Sequence, residues 1–166
     1  MMGNFLLVSA SEIAALVKAP DGIHAFLEQR LAAPQPNEYV DADKAWHILH
    51  FLLTGTAWAG EAPLNFIVCG GEEIGDEDVG YGPARALLPA DLAALDAALE
   101  ALPAAALAAR YDPAQMAALE IYGASRNPQD VPDSEDVQWV TDTYEDVRAL
   151  VREGAKTGRG LLVWVS

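Results

Sequence analysis

The segment from Asp41 to Gly55, DADKAWHILHFLLTG, restricts the fold more than any other stretch of the chain. At about 100° per residue on a helix, Asp43, His47, His50 and Thr54 share an arc of roughly 60°. Ala45, Trp46, Ile48, Leu49, Phe51, Leu52 and Leu53 cover most of the other directions. A helix that is apolar on nearly every side has to be packed on nearly every side, which places it in the middle of a core. Asp41 reads as its N-cap and Gly55 as its stop. With 166 residues the chain can bury one such core and is short for two, so a single domain over residues 1–166 is expected.

The polar stripe on that helix admits three readings. In the first it is structural: the stripe faces water, or its histidines satisfy buried partners. In the second it lines a cleft, where Asp43 orients His47 and raises its basicity. The third is a metal site, since His47 and His50 stand at i,i+3. Asp43 and His50, however, are about 10 Å apart along the axis. His24, the remaining histidine, falls on a different helix, and Cys69, Glu72 or Glu73 would have to complete the ligand set. No metal or other cofactor is assigned on that basis.

Around this helix the punctuation is clear. Phe5–Val8 is a short apolar run fit for a buried strand. Ser9 and Glu12 form a capping box for a helix to about Lys18 that breaks at Pro20. A second helix is expected from Ile23 to Leu31. Leu64–Val68 reads as a buried strand, and Cys69 as a buried cysteine at its end. Leu92, Leu95, Leu99 and Leu102 define a helix from Pro89 to Leu102 opened by proline. Pro103 restarts a short helix, and Asp112-Pro113 with Gln115 starts another. A polar loop spans Asn127–Asp136. Val137, Val140, Tyr144, Val147 and Val151 then mark a long helix ending near Gly154, and Leu161–Val165 is a terminal strand. The expectation is an α+β fold, helix-rich, with helices packed on a small sheet that includes strands from both chain ends. Trp139 and Trp164 fall in apolar patterns and read as core, whereas Trp58, in a Gly/Ala-rich turn, reads as a cover for the central helix.

Composition narrows the function. Acids outnumber bases 25 to 10, for a net charge of −15. Binding to nucleic acid or to an anionic membrane surface needs the opposite sign, so neither is an expected partner. No apolar run approaches the roughly 20 residues of a membrane span. No base precedes Lys18, so the start of the chain lacks the basic n-region of a secretory signal and a cytoplasmic location is expected. A single cysteine makes no internal disulfide.

Gly70–Arg85, GGEEIGDEDVGYGPAR, concentrates five acids between positions 72 and 78. It is no EF-hand, because leucine stands where the last glutamate ligand is required. It is no phosphate loop either, since no Gly-Lys-Ser/Thr follows. It reads as a solvated turn or as a binding loop. In the second case Glu72, Glu73 and Asp76 supply the field, and Tyr81 and Arg85 supply specific contacts.

Several uncommon pairings occur in one order: Gly3-Asn4, Asp43-Lys44-Ala45-Trp46-His47 with His50, Leu53-Thr54-Gly55, Gly71-Glu72-Glu73-Ile74-Gly75, Gly80-Tyr81-Gly82-Pro83-Ala84-Arg85 and Glu120-Ile121-Tyr122. By these the chain resembles, nearly end to end, the YfbM-like family, bacterial proteins of unknown function. It departs from the pattern at Leu88, where a capping residue is expected before Pro89, and at Gly123, where proline is expected. The resemblance implies a compact α+β domain in the bacterial cytoplasm. It brings no activity and no catalytic residues.

Two functional expectations follow. The first is a protein-binding module for a basic partner, immunity- or accessory-like, steered by the acidic field. The alternative is a small-molecule-binding protein or a hydrolase with histidine as general base, using a cleft of Asp43, Trp46, His47 and His50 with Tyr81 and Arg85.

Overall fold

The computed structural model of the chain describes residues 1–125 and 134–166. Two buried strands from the chain ends organise it: β1 (Gly3–Val8) and β5 (Gly160–Val165). They pair antiparallel over their full length, from Gly3 opposite Val165 to Val8 opposite Gly160. Strands β2 (Tyr39–Asp41), β3 (Glu72–Glu73) and β4 (Arg85–Leu87) complete a five-stranded sheet in the order β2-β1-β5-β4-β3, every neighbouring pair antiparallel.

Both faces of this sheet are covered, which explains why the terminal runs are continuously apolar rather than alternating. Phe5, Leu7, Leu161 and Val163 face a cluster built on α3 (Ala45–Thr54), α4 (Pro89–Glu100), α5 (Ala104–Ala108), α6 (Pro113–Ala118) and α7 (Ser134–Thr157). Leu6, Val8, Leu162 and Trp164 face the other way, onto α1 (Ala10–Lys18) and α2 (Ile23–Ala32). Each such side chain contributes about 1.5–3 kcal/mol by leaving water, so the central strands are a main source of stability. The fold is therefore the expected helix-rich α+β domain. No described helix is long and apolar enough to cross a membrane.

Helix α3 lies at the centre, with nine consecutive residues, Ala45 to Leu53, buried. Gly3 lets it approach β1: a methyl at that position would run into the Trp46 side chain. Gly55 ends α3 in the left-handed conformation, as its position suggests. The start of α1 is also as expected, with Ser9 and Glu12 closing a capping box. Before α4, Leu88 offers no acceptor, but its N–H donates to the Asp91 carboxylate, half of the missing cap.

Several expectations need correction. Leu64–Val68 is not a strand. Residues 62–69 form a run of turns in which the Asn65 carbonyl accepts from the N–H groups of Val68, Cys69 and Gly70. A short apolar run is compatible with any buried backbone shape, and here Phe66 and Ile67 are buried without strand pairing. Cys69, placed in that turn, is exposed rather than buried. Asp41 does not cap α3. It belongs to β2, and its carboxylate accepts from the Asp43 N–H. Helix α7 runs past Gly154 to Thr157, because Gly154 serves packing: a methyl there would collide with Leu92 and Leu7. Trp139 is 36% exposed and not core. Of the loop expected over 127–136, residues 127–133 lie outside the described part, and α7 already includes Ser134 to Asp136.

Candidate functional site

The two histidines of α3 are fully buried, and what they hold is the turn after the helix. The Tyr122 N–H donates to His47 Nδ1 at 2.9 Å, which leaves Nε2–H to donate to the Ala57 carbonyl at 2.7 Å. His50 Nε2–H donates to the Ala59 carbonyl at 2.9 Å. Ala57 and Ala59 flank Trp58, so the histidines fix the backbone on both sides of that residue. The Trp58 ring packs on His47 with centroids 4.3 Å apart and the planes tilted by 40°, and His47 stacks in turn on Trp46 at 4.7 Å. Trp58 is thus held on a rigid pedestal while 60% exposed. Burial lowers the pKa of both histidines, that of His50 to about 4, so both rings are neutral near pH 7.

The stripe seen in the sequence is not one surface. Asp43 precedes α3, is exposed and has φ of 43°, so it neither shares the helix face nor bonds His47. Neither histidine reaches solvent, and both His47 ring nitrogens are already engaged. A ring in that state has no lone pair with which to take a proton from a substrate.

The sequence puts Arg85 at the end of a solvated turn or a binding loop. It lies instead on β4, 9% exposed, with its guanidinium folded under the 62–69 turn. Nη1 donates to the carbonyls of Phe66 and Gly70, and Nη2 to that of Ile67. These bonds explain how the turn satisfies its buried carbonyls. They also leave a buried cation with neutral oxygens alone as its direct partners, since Arg85 forms no ion pair among the described residues. Burial lowers its pKa, while Cys69 and Glu73 act in the opposite sense.

Three of the sequence candidates, Trp46, Tyr81 and Arg85, line one groove of about 370 Å³. Trp58, Trp164, Ile67, Val68 and Pro83 complete most of its wall. Tyr81 stands at its rim, 64% exposed. Its loop is fixed against the end of β5 by a Tyr81 N–H bond to the Val165 carbonyl, and is braced within itself by the Gly80 and Gly82 N–H groups donating to Asp78. Only glycine fits at position 80, where φ is 147° and a methyl would meet Ser166 and the Val165 carbonyl. Trp46 is 2% exposed, and its buried Nε1–H has no acceptor among the described residues.

This groove differs in charge from three others among the described residues. Three further grooves carry carboxylates: Asp41, Asp146 and Glu153 in one, Glu72 and Asp91 in a second, Glu120 in a third. The Trp46–Tyr81–Arg85 groove has none. Glu72, Glu73 and Asp76 are exposed and outside it. Sequence reasoning left Trp58 and Trp164 off the candidate list. A tryptophan in a Gly/Ala-rich turn was the available signal for Trp58, whereas Trp164 is indistinguishable in one dimension from its core neighbours. Among the described residues, no group of three His, Cys, Asp or Glu side chains is placed to hold a metal ion.

A family model described as a domain of unknown function, DUF1877, matches residues 1–164. Among solved structures, the crystal structure of YfbM from Escherichia coli, a protein of unknown function, is 26% identical and covers 98% of each chain, with a TM-score of 0.69. No curated protein matches the chain.

Proposed function

The chain belongs to the DUF1877 family of domains of unknown function, and from that premise we propose that it is a small-molecule-binding protein whose site is the groove of Trp46, Trp58, Tyr81, Arg85 and Trp164. The observation that carries this reading is the convergence of three tryptophans, a tyrosine and a buried arginine on one carboxylate-free groove in a chain of net charge −15. Aromatic walls with a few fixed polar groups are the usual lining of a ligand site. The rigid mounting of Trp58 on His47 adds preorganisation, which reduces the entropic cost of binding. The same geometry gives the buried histidines a positioning role in place of general-base catalysis.

The reading predicts that Trp58→Ala and Tyr81→Ala keep the fold, because both side chains are mostly exposed. Each should abolish or weaken at least tenfold the stabilisation that a ligand library produces on the wild type in thermal shift. Hits that stabilise both variants as well as the wild type would mean that the groove is not the site.

A second reading, docking of a basic protein, keeps one observation in its favour. Glu72, Glu73 and Asp76 are exposed on and beside the edge strand β3, and none is ion-paired among the described residues. Reversing these three charges should slow association with a basic partner about tenfold at low salt and little at high salt. Unchanged on-rates would remove this reading.

A further inference from the structure

We propose that the ligand of the groove is an aromatic acid, a flat ring carrying a carboxylate. This rests on the small-molecule reading above and names the chemistry of that site. One cation on the groove wall points to an anionic acceptor. Arg85 uses three of its N–H groups on the carbonyls of Phe66, Gly70 and Ile67, which leaves two of the five that a guanidinium carries. Its charge, which forms no ion pair among the described residues, favours an anion.

The rest of the wall selects a ring. Trp46, Trp58, Tyr81 and Trp164 present aromatic surface, and Ile67, Val68 and Pro83 present aliphatic surface. A volume of about 370 Å³ is at the small end of the range for ligand pockets, roughly 300–1,000 Å³, and suits one or two fused rings with a short acidic arm. The field of the whole chain repels anions. A carboxylate-free groove with a buried cation is where that repulsion is locally overcome. A cationic ring of the same size would gain from the aromatic walls but would meet Arg85 without a compensating acid.

The test uses three probes on one ring system: indole-3-acetate, its primary amide and tryptamine. Each is titrated calorimetrically into the full chain, with tryptophan fluorescence as a second readout. The acid should bind at least tenfold more tightly than the amide, and tryptamine more weakly still. Equal binding of acid and amide, or tighter binding of tryptamine, would overturn the aromatic-acid assignment and leave the groove standing as a small-molecule site. Saturable binding of none of the three, with no library hit sensitive to Trp58→Ala, would overturn both readings.

Discussion

His50 shows what a buried titratable residue costs this fold. Its Nε2–H is bonded to the Ala59 carbonyl, while its Nδ1 is buried with no hydrogen-bond partner among the described residues. Protonation would bury a charge away from solvent and near both His47 and Arg85, and the folded-state pKa falls from 6.5 to about 4. The unfolded chain binds a proton below about pH 6.5 and the folded chain does not. The stabilisation is therefore full above pH 6.5 and is lost progressively as pH falls towards 4, by up to roughly 3 kcal/mol. Urea denaturation across pH 4.5–7.5 should show this slope. His50→Gln, whose amide keeps a donor near the Nε2 position, should flatten it. An equal slope in the variant would assign the pH dependence to other groups.

At the level of elements, the helices were legible because their ends carry local chemistry. Ser9 with Glu12, Asp112 with Gln115, and Gly55 each act within one turn, and all three hold in the structure. The turn at 62–69 was not legible, because what replaces strand pairing there is Arg85, fifteen or more residues downstream. Gly154 is a similar case. It looks like a helix stop and is instead the point where α7 passes Leu92 of α4 and Leu7 of β1. Gly154→Ala should therefore destabilise by about 1–3 kcal/mol through overpacking, against the small gain that helix propensity alone predicts. Chemical denaturation decides the sign, and a stabilised variant would show that α7 can shift without cost.

Across the whole molecule, 25 acids against 10 bases leave a net −15 on one small domain, and self-repulsion works against compactness. Raising salt from about 10 mM to about 150 mM shortens the Debye length from about 30 Å to about 8 Å, so the melting temperature should rise by several degrees. A flat or falling melting temperature would mean that the ion pairs of Arg30 and Arg159 with Glu38, and of Arg30 with Glu12, outweigh the repulsion. The sequence by itself determined the class of fold, the central place of α3, the two terminal strands and the acidic character, since each follows from period, local capping or a sum of charges. Trp46, Tyr81 and Arg85 were visible as candidates, and the small-molecule reading set them in one cleft with Asp43, His47 and His50. Only the tertiary structure decided that they meet, that Asp43 stands apart, and that His47 and His50 face inward to hold the backbone around Trp58. Those facts depend on contacts between residues distant in the chain, such as His47 with Tyr122 and Tyr81 with Val165. One-dimensional spacing carries no information about which distant surfaces are buried against each other.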